Sequence, residues 1–128
     1  MTEADRLRYL RPALLLFGLV FIFGIYPLSI VWPSGWCWSP GRSDYFEMIL
    51  GFYATLGVFL IIASRAPLQN LSIIWFTVWS SLVHAGIMAT QSILQPQFIG
   101  HLWGDVTALF AVAVVLAFLT PRKSKAGS

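Results

Sequence analysis

Four times along this chain a run of about twenty residues passes with almost no charge. PALLLFGLVFIFGIYPLSIVW extends from Pro12 to Trp32, and YFEMILGFYATLGVFLIIAS from Tyr45 to Ser64. A third run covers residues from about Gln69 to Gln91 and a fourth from about Leu102 to Thr120. At a rise of about 1.5 Å per residue, each run wound as a helix crosses the roughly 30 Å of hydrocarbon in a bilayer. In hydrocarbon the peptide groups of an isolated segment must bond to one another, which selects helix. The expected fold is all-α: a four-helix transmembrane up-down bundle forming one integral membrane domain over residues 1–128.

Composition agrees. Hydrophobic residues make up 58% of the chain and charged residues 10%, where a soluble domain carries about 25% charge. The net charge of +3 sits at the edges of the apolar runs. Arg6, Arg8 and Arg11 precede the first, and Arg122, Lys123 and Lys125 follow the last. No continuous basic face with interleaved aromatic residues exists, so the sequence speaks against a nucleic-acid partner and for the lipid bilayer. Counting Arg65 in the second turn, seven of the eight basic residues lie on one side, against Arg42 on the other. By the positive-inside rule both termini and the second turn are cytoplasmic, in a bacterial inner (plasma) membrane. The first run exceeds the 7–15 residues of a signal-peptide core and lacks an A-x-A-like site, so it reads as a retained helix.

Prolines and glycines divide the runs. Pro12 suits a first helical turn, while Pro33, Gly35, Pro40 and Gly41 break the chain after the first span. Arg65-Ala66-Pro67 makes a turn short enough to render spans two and three antiparallel neighbours. Pro96 and Gly100 introduce the fourth span, and Pro27 predicts a kink within the first. Trp32, Trp36, Trp38 and Trp103 in the outer connections read as interfacial anchors, or else as a lid over a cavity. Cys37 is the lone cysteine, which excludes an internal disulfide and a cysteine zinc site.

The few polar residues of the spans gather toward the outer side. Asp44, Glu47, His101 and Asp105 stand at the outer ends of spans two and four, with His84 deeper in span three. Ser81, His84, Met88 and Gln91 recur at helical steps of three and four, forming one stripe. Glu47, Gly51 and Thr55 align on span two, and His101 with Asp105 on span four. Gly51 with Thr55, Gly100 with Gly104 and Ala85 with Ala89 are small enough for close helix approach. Ionisable groups in membrane helices face the bundle interior or water, so these stripes predict an outward-opening funnel. Its candidate ligand-binding residues are Glu47, His84, Gln91, Asp105, His101, Tyr53 and Trp79, with Trp75 as a further wall. No metal site is expected: His84 lies about 10 Å deeper than Glu47 and Asp105. The two histidines are likewise too unequal in depth for a haem held between both.

YLRPALLLFGLVFIFGIYPL, WPSGWCWSPG, MILGFYATLGVFLIIASR, WFTVWSSLVHAGIM and GHLWGD together cover most of the chain. They resemble a family of small bacterial four-helix integral membrane proteins without an assigned function. An acidic residue early in span two followed by glycine and tyrosine, here Glu47, Gly51 and Tyr53, is more loosely similar to DoxX-like membrane proteins. That resemblance implies four helices and a link to quinone-dependent redox chemistry.

No nucleotide loop, metalloprotease motif or nucleophile elbow is present, and the sequence names no cofactor. Three functions fit. The chain reads first as an accessory or partner-binding membrane subunit, serving a membrane protein partner or a homo-oligomer. Here Glu47 and Asp105 bond across helices, and His84 pairs with Ser80 or a carbonyl. The second is a binding protein for a lipid-soluble small molecule, a quinone or other amphiphile, held in the polar pocket. The third is a small enzyme acting on such a molecule by proton transfer through Glu47 or His84.

Overall fold

Thr2 starts the first helix. Its hydroxyl accepts from the Asp5 amide at 3.2 Å and the Asp5 carboxylate accepts from the Thr2 amide at 3.4 Å, a reciprocal cap. The computed structural model describes residues 2–37 and 44–121; Trp38, Pro40, Gly41, Arg42, Arg122, Lys123 and Lys125 lie outside them. Helix α1 (Glu3–Leu19) continues through a π-helical turn (Val20–Gly24) into α2 (Ile25–Val31). Together they form one apolar rod of 29 residues, about 43 Å long.

One expectation needs correcting here. The cap at Thr2 carries the helix through the basic stretch, so Pro12 lies within α1 and not in its first turn. The departure from α-geometry is upstream of Pro27, in the π-turn. Proline lacks the N–H that would reach the carbonyl four residues back, and its ring crowds that carbonyl. For Pro27 that residue is Phe23, inside the wide turn, where the backbone has already left the regular ladder.

A single turn, α3 (Pro33–Trp36), follows with proline at its first position. Then come α4 (Asp44–Arg65), a 3₁₀ turn (Pro67–Gln69), α5 (Leu71–Leu94), a longer 3₁₀ segment (Pro96–Leu102) and α6 (Asp105–Leu119). Among the described residues there is no strand, and four helical stretches are long and apolar enough to cross a membrane. Tyr9, Leu16, Phe23, Phe52, Phe59, Phe76, Val83 and Phe118 are among the large side chains left on the outside. In water so continuous an apolar exterior is a liability, whereas lipid accepts it. This is the architecture of a multi-pass membrane protein.

Two helix pairs carry the packing: α1 against α4 and α5 against α6, with α1 also touching α6. The α1–α4 seam closes on glycine. A Cβ placed on Gly57 would lie 2.5 Å from the Gly18 carbonyl oxygen, and one on Gly18 would lie 2.7 Å from that of Gly57. Only hydrogen fits at either position, and the two backbones meet directly. Leu10, Leu14, Leu60, Ile74, Val78 and Leu116 fill the adjoining core. Helices α4 and α5 touch too, but sparsely, despite the tight turn between them; the turn holds them together only at one end.

At that end the Arg11 guanidinium donates to the Arg65 carbonyl at 3.0 Å, and Arg6 stacks 5.4 Å over the Phe118 ring. The start of α1, the second turn and the end of α6 therefore share one face of the bundle. The opposite face carries α3 and the 3₁₀ segment before α6.

Candidate functional site

Toward the α3 end, next to the glycine seam, the four helices surround a cavity of about 490 Å³. Phe17, Val20, Phe21 and Ile25 supply the wall from the first rod. Tyr45, Phe46, Ile49 and Tyr53 line it from α4, His84, Met88 and Gln91 from α5, and Asp105, Leu109 and Val112 from α6. Trp36 and Cys37 close it from the α3 segment. The wall is mostly apolar with a few polar groups, the usual make-up of a small-molecule site. Gln91, Tyr45 and Ile49 are exposed while lining it, so the cavity reaches the surface of the bundle between α4 and α5.

The deepest polar pair is Tyr53 with His84. The Tyr53 hydroxyl bonds to His84 Nδ1. The two rings lie 23° from parallel with centroids 5.7 Å apart. Tyr53 is only 6% exposed, and its ring is also met edge-on by Phe21, at 5.0 Å and 69°. A buried phenol must place its proton on an acceptor. Among the described residues the partner of the Tyr53 hydroxyl is His84 Nδ1; when the phenol donates, that nitrogen accepts and the ring proton is on Nε2. Ser80, with a carbonyl one of the two expected partners of His84, instead donates to the Thr77 carbonyl at 3.3 Å.

The outer polar group is Asp105, at the start of α6. Both of its carboxylate oxygens lie 3.1 Å from His101 Nδ1, and His101 Nε2 lies 3.0 Å from the Cys37 carbonyl oxygen. Both ring nitrogens of His101 thus lie against oxygen atoms, and the ring bridges Asp105 and the Cys37 carbonyl. The same histidine ties the α3 segment to the entrance of α6. Glycine makes that docking close: a Cβ on Gly104 would lie 2.6 Å from Gly35 Cα, and one on Gly100 would lie 2.7 Å from the Ser34 oxygen. The Trp36 indole is carried over the cavity by this contact, and its N–H is buried without a hydrogen-bond partner among the described residues.

The residues singled out in the sequence fall into two groups. Tyr53, His84, Gln91 and Asp105 share the cavity wall, and His101 stands behind Asp105 and orients it. Glu47 and Trp79 do not reach it. Glu47 is exposed on α4 and is absent from the cavity lining, about 100–160° around the helix from the lining residues Phe46, Tyr53, Tyr45 and Ile49. Trp79 is 63% exposed on the outside of α5, and Trp75 is partly buried against the core. Gly51 and Thr55 face outward as well, with nothing within 4 Å of a Cβ on Gly51. Gly100 and Gly104 do permit a close approach, but of α3 and not of another span. Among the described residues no three histidine, cysteine or acidic side chains come together as metal ligands.

Four apolar helices around a cavity with a polar rim and a polar floor define a class, that of multi-pass membrane proteins with an internal pocket. The chain belongs to the family of unknown function DUF6632, whose sequence model matches residues 4–126. No curated protein and no solved structure matches it.

Proposed function

We propose that this chain is a membrane binding protein for a lipid-soluble amphiphile, held between the helices with its polar head among His84, Gln91 and Asp105. The observation that carries this reading is the cavity of about 490 Å³ onto which those side chains converge, within the roughly 300–1,000 Å³ of small-molecule sites. Were the polar residues only locks between helices, they would pair without leaving a void. The His101–Cys37 and Tyr53–His84 bonds are such locks and fit the accessory-subunit reading, but that reading leaves the cavity without a use. A reaction catalysed there would add a proton-transfer role for His84; the geometry assigns none.

The setting we propose is a bacterial plasma membrane with both termini cytoplasmic. Arg6, Arg11 and Arg65 lie at the end of the bundle opposite α3, which supports that orientation; with it the cavity would lie in the outer leaflet. The DoxX-like resemblance, and with it a quinone ligand, draws on Glu47, Gly51 and Tyr53; of these only Tyr53 borders the cavity.

Native mass spectrometry of the detergent-purified protein tests the reading. A retained apolar molecule near one equivalent per chain is expected, lost in His84→Gln and kept in Glu47→Gln, whose side chain points away. Wild-type protein that carries nothing, and that takes up no amphiphile when reconstituted, would refute the proposal.

A further inference from the structure

Resting on the binding reading above, we infer that the cavity selects an uncharged head bearing a carbonyl oxygen, bonded by His84 Nε2–H, and that Tyr53 is the positioning residue that sets this donor. The Tyr53 phenol occupies Nδ1 and so fixes the proton on Nε2, while the near-parallel rings hold the imidazole plane. Neutral imidazole has one donor and one acceptor; with the acceptor spent inside the protein, the donor remains for whatever enters. The buried Trp36 indole N–H, without a partner among the described residues and on the same wall, is a second group that can only donate.

The wall also discriminates by charge. Asp105 carries the negative oxygens of the cavity. A phosphate or carboxylate head would face them in a medium of low dielectric, where like charges repel far more strongly than in water. A quaternary ammonium head would leave both N–H donors pointing at positive charge. A ketone, quinone or ester oxygen satisfies the donors and offends nothing. Quinone rings and neutral glycerides both present that oxygen, so the shared chemistry is the carbonyl acceptor.

The experiment compares probes of one chain length on the full protein in neutral-lipid nanodiscs: decylbenzoquinone, monodecanoylglycerol, decanoate and decylbenzene. Either carbonyl probe is expected to bind about tenfold more tightly than decanoate or decylbenzene, the worth of one well-made hydrogen bond. Which carbonyl probe leads separates a quinone from a glyceride source. His84→Phe should level the series. Nitrogen-15 spectra supply a readout that packing alone would not move. At neutral pH one of the two histidines should show the neutral Nε2–H tautomer, and Tyr53→Phe should convert it to a tautomer mixture. A wild-type spectrum with neither histidine in that form overturns the inference without any variant. Decanoate or decylbenzene binding as tightly as the carbonyl probes also overturns it, while leaving the cavity a ligand site. Failure of every probe, with nothing apolar retained on purification, removes both readings together.

Discussion

Helix α4 has two neighbours and meets them in opposite ways. Against α1 it is sealed, because Gly18 and Gly57 let the backbones touch and leave no space for a side chain. Against α5, its neighbour in sequence, it is loosely packed, and Tyr45, Ile49 and Tyr53 look into a cavity. Chain connectivity therefore says little about closeness in this bundle. What decides it is residue size at the crossing: hydrogen atoms at the seam, and aromatic rings with an imidazole where the helices part. In lipid there is no hydrophobic drive to squeeze the gap shut, since acyl chains solvate apolar side chains as well as other helices do.

The contrast can be broken from the sealed side first. Gly57→Leu would drive a side chain into the Gly18 carbonyl and Ile22; it should cost about 3 kcal/mol in SDS-titrated unfolding from mixed micelles, through overpacking. At the outer end, His101→Leu should cost about 2 kcal/mol in the same titration, because Asp105 and the Cys37 carbonyl lose the donor they share. Helix α3 should then become more open to proteolysis. Within the gap, His84→Phe should cost about 1 kcal/mol as the Tyr53 hydroxyl loses its acceptor, and should abolish retained ligand in the mass spectrum. The smallest effect has the opposite sign. Gly51→Ala on the outward face of α4 meets nothing and should raise stability by about 0.5–1 kcal/mol, the helix preference of alanine over glycine. Equal penalties at Gly51 and Gly57 would show that the seam is not where the structure puts it.

Much of the fold was legible in the sequence, because spanning a bilayer needs length and apolarity, and both are visible in a string of residues. The Ser81–Gln91 stripe likewise pointed to the cavity: His84, Met88 and Gln91 line it, and Ser81 is buried. The inward face of α4 was not legible. In a soluble helix polarity marks the outer side, but α4 is apolar on both, so the acidic Glu47 drew attention to a face that turns away. Nor did the sequence distinguish Gly57, which is crowded, from Gly51, which is free, since that difference depends on what lies opposite. Tyr53 and His84 were both visible as candidates. Their bond joins residues 31 apart, on helices whose relative rotation no local pattern records. Trp36 read equally well as an anchor or a lid, and only the glycine contacts of α3 place it over the cavity.

The wide turn at Val20–Gly24 acts on everything downstream of it. A π-turn holds one residue more than the α-winding it replaces, and each residue advances a helix by about 100°. Winding the same residues evenly as α-helix would swing Ile25, the α3 segment and its indole through about that angle, as a key turned out of its lock. The span would still be long enough to cross the membrane, yet the cavity would lose its roof. The phase of the first helix, more than its length, aims the outer end of this protein.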